Sequence, residues 1–328
     1  MTENPPATRV SRVALITCAD LPGLDPDDHL LVRALRARGV AVAGAVWDDP
    51  AVDWSAFDLA VLRSTWDYPG RRAAFLAWAG AVPRLANPAP VVAWNTDKGY
   101  LDDLAAAGVP VVSSHRVEPG QPWRPPAGGQ WVVKPAVGAG SVDAGRYRLD
   151  DPQQRRLALA HVDRLQRQQR PLLVQPYLPA VDASGETGLV FLADPSRRDV
   201  VYSHAVRKGP MLTGPAAAVD GLFVPEQITG RTASAAELAV ARRALAAVPG
   251  GSARLLYARV DLVPGPEGDP VVLELELTEP SLFLAHGGGA ADRLAAAIAA
   301  GPAPPARVAG GPVTDGDPGS PSPTAAAR

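Results

Sequence analysis

The sequence is poor in cysteine, lysine and aromatic residues, and it contains no long apolar run. A single cysteine, Cys18, allows no disulfide framework and no thiolate metal cluster. Because Cys18 ends an apolar run, we expect a buried core thiol and not a nucleophile. No apolar stretch approaches the ~18 residues that span a bilayer. The N-terminus lacks the apolar core of a secretion signal, so we expect a cytoplasmic protein.

An excess of charge of either sign is also missing. The net charge is −2 and the pI is about 6.2, which gives no electrostatic reason to bind nucleic acid or an anionic membrane. The chain has 328 residues, of which 47% are hydrophobic and 20% charged. This is enough for one large domain or two to three smaller ones with filled cores.

Lysine is the most informative of the scarce residues. Of 32 basic residues only three are lysines, namely Lys98, Lys134 and Lys208. Arginine serves almost everywhere that a solvated positive charge would suffice. Lysine therefore marks places that need a compact point charge. Chance retention is the alternative for any one lysine, so the surroundings of each must decide.

The first part of the chain alternates between strand and helix. Strands are predicted in RVALITCA, VAVAGAVWD and FDLAVLRS, and helices in DPDDHLLVRALRARG and RRAAFLAWAGAV, the last followed by a short VVAW. This alternation implies a mostly parallel sheet, whose ligands lie beyond the carboxyl ends of the strands. Residues 64–70 and 17–20 occupy such places. Residues 1–8 and 302–328 are expected to be disordered.

After residue 95 the pattern becomes that of an α+β fold. A helix is predicted in WNTDKGYLDDLAAAGVPVV, capped by Asn95 or Thr96 and followed by a strand. Further helices are predicted in DPQQRRLALAHVDRLQRQQ and ASAAELAVARRALAAV. Further strands are predicted in GGQWVVKP, PLLVQPYL, TGLVFLAD, VVYSHAVRK, ARLLYARVDLVP and DPVVLELELTEP. We expect largely antiparallel sheets and at least two domains with a cleft between them.

The last of these strands carries glutamates where a purely structural strand would not. Glu274 and Glu276 share one face, and carboxylates ~6 Å apart repel by roughly 3 kcal/mol at an effective dielectric of about 20. Glu279 is out of phase and is expected to shape the loop that follows.

A turn at PGPEGD joins this strand to the preceding one in a hairpin. If Val263 faces Val272, the register pairs Asp261 with Glu274 and Arg259 with Glu276. Three carboxylates and a guanidinium on one face suit a pair of Mg²⁺ ions, which prefer carboxylate oxygens. A solvated outer face with a cross-strand Arg–Glu pair is the alternative.

Two other segments suit a nucleotide. In WVVKPAVGAGS a strand delivers Lys134 and then a small-residue loop, which lets backbone N–H groups approach phosphate oxygens. The lysine precedes the glycines, so this is not a Walker loop, and a mobile surface hairpin is the alternative. In LLVQPYLPA an apolar strand ends in a peptide edge that can pair with adenine. Glu186 follows as a carboxylate for ribose hydroxyls, or else as a solvated loop residue.

The order of these elements resembles the ATP-grasp superfamily over residues 95–300, preceded by the α/β domain that usually accompanies it. The resemblance implies an N-terminal domain at 9–95, a central or lid subdomain at 96–178, and a C-terminal subdomain with the metal site at 179–301. The fold class expected is thus α/β plus α+β, with ATP bound between the two ATP-grasp subdomains.

The resemblance also implies roles for individual residues. Phosphates would meet Lys98, Lys134, Gly138, Gly140 and Ser141; adenine the hinge Gln175, Pro176, Tyr177 and Leu178; and the ribose Glu186. Asp261, Glu274 and Glu276 would ligate two Mg²⁺ ions, with Mn²⁺ as an alternative, while Arg259 and Lys208 would act on the transferred phosphate. Two positions depart from the common pattern, since Glu276 stands where asparagine is usual and Gln175 where glutamate is frequent.

At finer grain, LRSTWDY, WNTDKGYL, VVKPAVGAGS, SHAVRK and LELELTEPSLF resemble the branch of O-ureido-serine cyclo-ligases that form cycloserine. Glutathione synthetase is a more distant relative. The function implied is an ATP- and Mg-dependent, ADP-forming ligase that activates a small amino-acid-like carboxylate as an acyl phosphate for an amine or internal nucleophile. A peptide-type ligase and a non-catalytic ATP-binding sensor are the alternatives, and a homodimer is left open.

Substrate contacts are expected from the loop after the third strand and from the end of the glutamate strand. The candidates are Arg63, Ser64, Thr65, Trp66, Asp67, Tyr68 and Ser281. For the loop, the alternative is a capped turn with Trp66 packed into the core. His204 is expected to be satisfied by a neighbour and not to act as a base, and His286 to lie on a loop over the site.

Overall fold

The computed structural model describes residues 10–197, 199–216, 221–224 and 226–301. The segments predicted to be disordered, 1–8 and 302–328, lie outside the described residues. Within the described ranges, no helix is long and apolar enough to cross a membrane.

The N-terminal region forms a four-stranded parallel sheet. Its strands are β1 (Arg12–Thr17), β2 (Ala41–Val46), β3 (Leu59–Ser64) and β4 (Leu85–Ala86), in the order β2-β1-β3-β4. Helices α1 (Asp28–Ala37) and α2 (Arg72–Ala81) connect them. All six residues of β3 are buried, as in a strand covered on both faces. The predicted parallel sheet is therefore confirmed.

Two short helices join this sheet to the rest of the chain, and here the prediction was wrong in detail. The segment VVAW lies inside α3 (Ala89–Asn95), and α4 (Tyr100–Ala106) begins after Gly99. Asn95 and Thr96 thus end α3 and do not cap the next helix. The Asn95 side-chain amide donates to the carbonyl of Leu275 instead, at 2.7 Å. The side chain that the sequence pattern assigned to a helix cap is thus used in a tertiary hydrogen bond.

The second sheet is antiparallel and lies in the middle of the sequence. Its strands are β5 (His115–Val117), β6 (Gln130–Pro135), β7 (Gly145–Arg148) and β8 (Leu172–Pro176), in the order β5-β8-β6-β7. Helix α5 (Pro152–Arg167) packs against it, with Asp151 capping its first turn. The strand predicted at 109–112 amounts to one bridge, from Val111 to Val272.

The third sheet is also antiparallel and supplies the floor of the cleft. Its strands are β9 (Glu186–Asp194), β10 (Asp199–Lys208), β11 (Ile228–Arg231), β12 (Tyr257–Pro264) and β13 (Pro270–Glu276), in the order β11-β10-β9-β12-β13. The remaining helices are α6 (Ala180–Ser184), α7 (Ala235–Ala246) and α8 (Ala290–Ala300). Helix α8 packs between α1 and β9, so a shared core joins the N-terminal sheet to the third sheet.

The predicted β12–β13 hairpin is present, with one bulge. Arg259 pairs with Glu276 and Asp261 with Glu274, as expected, but Val263 faces Val271 and not Val272. Leu273 is the extra residue on β13. A β-bulge of this kind changes the register on one side only. The fold class is confirmed, while the domain boundaries at 95/96 and 178/179 stay a prediction.

Candidate active site

A cleft of about 400 Å³ opens where the three sheets meet. Most of the residues singled out from the sequence line it. They are Trp66, Tyr68, Lys98, Lys134, Gly138, Gly140, Ser141, Gln175, Pro176, Tyr177, Leu178, Glu186, Lys208, Arg259, Glu274, Glu276 and Ser281. The fold thus brings together side chains that are separated by more than two hundred positions in the sequence.

The β12–β13 hairpin carries a compact set of charges on the cleft floor. Arg259 grips Asp261 with two hydrogen bonds, from Nε to Oδ1 at 2.8 Å and from Nη2 to Oδ2 at 3.0 Å. Nη2 of Arg259 also donates to Glu276. Arg259 and Asp261 are 3% and 1% exposed, so the alternative of a solvated strand face is wrong.

Burial and neighbouring charges separate the three hairpin carboxyl groups. Burial would raise the pKa of Asp261, but Arg259 and Lys208 outweigh it and lower that pKa to about 2. For Glu276, burial prevails over Arg259 and raises the pKa to about 7. Burial also opposes ionisation of Glu274, yet the nearby lysines lower its pKa. Glu276 is therefore the hairpin carboxylate with the least compensated charge.

The three lysines differ sharply in their partners. Lys98 Nζ lies 2.7 Å from Glu274 Oε1 and donates to the carbonyl of Gly138 at 2.7 Å. Lys208 has three carboxylates within 3.4 Å. Lys134 has no carboxylate within ion-pair distance among the described residues, and burial lowers its pKa. Lys134 is thus the lysine in the cleft that is available to a ligand.

The small-residue loop after β6 adopts a backbone that needs glycine at position 140. Gly140 has a φ of +59°. A Cβ added there would come within 2.5 Å of the Leu222 carbonyl oxygen. The carbonyl of Gly140 accepts a hydrogen bond from the Val224 N–H at 2.9 Å. The loop is therefore packed against segment 221–224, which leaves no room for a larger residue.

The predicted adenine hinge is partly engaged by the protein itself. The Gln175 side-chain amide donates to Ser114 Oγ at 2.8 Å, and the Tyr177 N–H donates to the Gln130 carbonyl at 2.8 Å. The Arg146 guanidinium lies over the Tyr177 ring, 3.5 Å from its centroid. Since Pro176 has no N–H, a base at this edge would have to use the remaining backbone groups.

Glu186 begins β9 directly opposite Lys208, with which it forms an ion pair at 3.3 Å. Its side chain is 12% exposed, so it is not a solvated loop residue. Burial outweighs Lys208 and raises the pKa of this carboxyl.

Of the six substrate candidates at the end of β3 and in the loop after it, two line the cleft. They are Trp66 and Tyr68, whereas Arg63 and Ser64 in β3, and Thr65 and Asp67 in the loop, are not among the lining residues. Arg63 forms a buried ion pair with Asp28 at 2.7 Å. Each of these four side chains is buried or turned to a protein partner, and their contact with a substrate stays a prediction.

Trp66 is held at the rim and is not packed into the core. Its Nε1 donates to the Glu279 carbonyl at 3.0 Å, and its ring meets Phe223 edge-on, with centroids 5.2 Å apart. The Glu279 side chain also lines the cleft, where burial raises its pKa to about 8. Glu279 was expected only to shape the loop.

Sequence reasoning missed several residues that line the cleft. They are Asp25, Asp27, Asn95, Tyr100, Glu226 and Phe283. Asp25 and Asp27 lie at the beginning of the segment DPDDHLLVRALRARG, where acidic residues are equally typical of the start of a helix. Asp261 was predicted as a metal ligand but lies beneath the lining residues. Both of its carboxylate oxygens accept hydrogen bonds, one from Arg259 and one from Lys208.

The histidines and the cysteine behave as expected. His204 Nε2 lies 2.9 Å from the carbonyl of Leu282, which satisfies it. His286 is exposed and lines the cleft. Cys18 is buried in the core of the N-terminal region.

The comparisons with known proteins agree with this arrangement. The fold is that of an ATP-grasp ligase: D-alanine–D-alanine ligase from Bacillus anthracis superposes with a TM-score of 0.56 at 16% identity, covering 88% of this chain and 95% of that one. A family described as the N-terminal domain of D-cycloserine synthetase DcsG matches residues 13–87.

Two comparisons extend over most of the chain. The cycloserine biosynthesis protein DcsG of Streptomyces lavendulae is 41% identical over 308 residues, which is 88% of this chain and 97% of that protein. The crystal structure of D-cycloserine synthetase DcsG has a TM-score of 0.73 at 38% identity, covering 88% of this chain and 98% of the other. The chain therefore belongs to the DcsG family and is an ATP-dependent, ADP-forming ligase that activates a carboxylate.

Proposed function

We propose that this ligase closes a ring within one small amino-acid substrate of the O-ureido-serine type, giving a cycloserine. The observation that carries the proposal is the similarity to cycloserine synthetase over 88% of the chain.

The nucleotide is assigned to the side of the cleft between the second and third sheets. Lys134, which lacks an ion pair among the described residues, and the loop at Gly138, Gly140 and Ser141 would hold its phosphates. Leu178 would offer its N–H to the adenine, since Pro176 has none and that of Tyr177 is already used. Glu186 stays the candidate for the ribose hydroxyls.

The residues on the cleft floor fit a magnesium ion by donor chemistry. Glu274 and Glu276 present carboxylate oxygens to the cleft, the ligands that Mg²⁺ prefers. Burial raises the pKa of Glu276 although Arg259 donates to it, so a bound cation would favour its ionised form. No three His, Cys, Asp or Glu side chains in the described ranges are grouped as a metal site. Mg²⁺, when bound with the nucleotide, supplies charge neutralisation at the transferred phosphoryl group.

We propose Glu274 and Glu276 as the main metal ligands. Asp261 stays a predicted third ligand, although Arg259 and Lys208 already engage its oxygens. The expectation of two ions, with Mn²⁺ as a substitute, comes from the resemblance to the superfamily and is to be tested by metal titration.

The chemistry assigned to the chain's own residues is charge stabilisation and positioning. The substrate carboxylate attacks the terminal phosphorus of ATP, ADP leaves, and an acyl phosphate forms. The Arg259 guanidinium, fixed by Asp261 and Glu276, would stabilise the negative charge that develops there. The substrate nitrogen bonded to the side-chain oxygen then attacks the acyl carbon, phosphate leaves, and the ring closes. Water must still remove the carbamoyl group to give the free cycloserine.

The test is ADP release by the purified full-length chain with ATP, Mg²⁺ and O-ureido-D-serine. We expect release that needs both metal and substrate, and one cyclic product that forms without any added amine. Lys134→Met should lose this activity, whereas Arg156→Met, at an exposed cation on α5, should keep it. Product that forms only with a second amine would establish a peptide-type ligase instead. No ADP release with any amino acid would refute the ligase assignment.

A cytoplasmic location is expected from the N-terminal sequence, and a homodimer is left open. Light scattering of the purified chain checks the homodimer, and cell fractionation checks the location.

A further inference from the structure

The two walls of the cleft carry different charges. Lys98, Lys134, Lys208 and Arg259 all stand on or beside the second and third sheets. From the N-terminal region, the acidic side chains that line the cleft are Asp25 and Asp27, with no lysine or arginine among the described residues there. The sheet side also carries carboxylates, namely Glu186, Glu226, Glu274, Glu276 and Glu279, but it holds all four cations of the described lining. The negative end of a zwitterionic molecule would therefore be bound on the sheet side.

Of the aspartates at the start of α1, only Asp25 has a carboxylate oxygen that accepts no hydrogen bond from the described residues. The Asp27 carboxylate accepts hydrogen bonds from the backbone N–H groups of Leu284 and Ala285, at 2.8 and 3.2 Å. Asp28 is held by Arg63. Asp25 Oδ1 accepts the N–H of Asp27 at 2.9 Å. In the described ranges, no hydrogen bond to Oδ2 of Asp25 is formed and no cation lies within 4 Å of the carboxylate.

A buried network holds Asp25 in place. Its backbone N–H is 3.4 Å from Ser64 Oγ, and that hydroxyl donates to Asp28 at 3.3 Å. Arg63, 2% exposed, completes the network, although its Nη1 has no hydrogen-bond partner in the part of the chain that the structure describes. Arg63 and Ser64 thus support the wall from behind. Burial, followed by the charges of Asp28 and Asp27, raises the pKa of Asp25, as expected for a carboxylate short of a cation.

We propose that Asp25 binds the α-ammonium group of the amino-acid substrate and so selects amino acids over simple carboxylic acids. The inference rests on the proposed function, which places the substrate carboxylate at Arg259 and the metal ligands. The ammonium group of the same molecule must then face away from those cations. Asp25 is the lining carboxylate of that opposite wall that is free to accept its hydrogen bonds.

The test compares two substrates and two variants by ADP release. The substrates are O-ureido-D-serine and its analogue without the amino group, 3-(ureidooxy)propanoic acid. The wild-type chain should prefer the amino acid by about 10- to 100-fold in kcat/KM, the scale of a hydrogen bond between charged groups. Asp25→Asn keeps the Oδ1 acceptor of the loop but loses the charge. It should raise KM for the amino acid by a similar factor and leave the analogue unchanged.

Asp20→Asn is the matched control, because Asp20 lies in the same loop, is exposed and does not line the cleft. It should keep the wild-type preference. An Asp25→Asn variant that retains the preference would overturn the inference. A wild-type chain that uses both substrates equally would overturn it too, and that measurement does not depend on how the variant folds. Absence of ADP release from the wild-type chain with either substrate would instead refute the proposed function.

Discussion

Replacing each of the three lysines by methionine should separate the charge that binds ligand from the charges that hold the fold. Lys134 has no ion pair in the described ranges, and burial lowers its pKa. Lys98 holds Glu274 at 2.7 Å. Lys208, 4% exposed, has three carboxylates within 3.4 Å. The stability of the three variants should therefore fall in the order Lys134→Met, Lys98→Met, Lys208→Met.

The sizes of these effects follow from what each change leaves behind. Removing one partner of a buried ion pair costs about 3–5 kcal/mol, and we expect about 2 kcal/mol for Lys98, because the Glu274 side chain is 23% exposed to the cleft. Lys208→Met leaves three carboxylates without this cation and should lower the free energy of unfolding by at least about 4 kcal/mol. Lys134→Met removes a desolvated charge with no partner, so stability should hold or rise by up to about 1 kcal/mol.

The assay measures thermal unfolding without nucleotide, together with the dissociation constant for ATP and Mg²⁺ by calorimetry. Lys134→Met should weaken nucleotide binding by about 10- to 100-fold, the loss of one charged hydrogen bond to phosphate, with a Tm that holds or rises. A Tm that falls as far for Lys134→Met as for Lys98→Met would refute the reasoning. Lys134 would then belong to the charge network of the fold.

Three further predictions concern single buried groups. Burial raises the pKa of Glu279 to about 8, from an ordinary 4.5, so the wild-type chain should lose stability as pH rises between these values. Glu279→Gln should remove about 2 kcal/mol of that loss; parallel curves of Tm against pH would contradict this. Asn87 is fully buried and makes three backbone hydrogen bonds, so Asn87→Ala should lower the free energy of unfolding in urea by about 2–4 kcal/mol, and a loss below about 1 kcal/mol would count against it. Asp28→Asn should cost about 3 kcal/mol by leaving Arg63 uncompensated; adding Arg63→Met should restore part of it in the same assay, and no recovery would disprove the account.

Local pattern was enough to predict most strands and the face of the hairpin that carries charge. The alternation in LELEL sets Glu274 and Glu276 on one side whatever surrounds them, and the turn chemistry sets their partners on β12. The bulge at Leu273 could not be predicted, because no residue type in the sequence marks its position. Helix α8 was not predicted either, and in the fold it packs against α1 and β9.

Residues whose role depends on distant partners could not be predicted. Asn95 looks like a helix cap until β13 is placed beside it, 180 positions later in the chain. Asp25 looks like one more acidic residue at a helix start until its neighbours are seen to be engaged elsewhere. In both cases the sequence shows which hydrogen bonds a side chain is able to form, and only the fold decides which of them are already taken.

The charge balance of the cleft connects the scarce lysines with the surplus of carboxylates. Among the described residues, four cationic and seven acidic side chains line it: Lys98, Lys134, Lys208 and Arg259 against Asp25, Asp27, Glu186, Glu226, Glu274, Glu276 and Glu279. Like charges ~6 Å apart repel by roughly 3 kcal/mol at an effective dielectric of about 20, so such a cleft opposes a bare polyanionic nucleotide. It accepts one that arrives with divalent cations, because these cations offset both sets of negative charge. Lys98 and Lys208 already form ion pairs with carboxylates. This leaves Lys134 as the lysine whose charge is free for the phosphates.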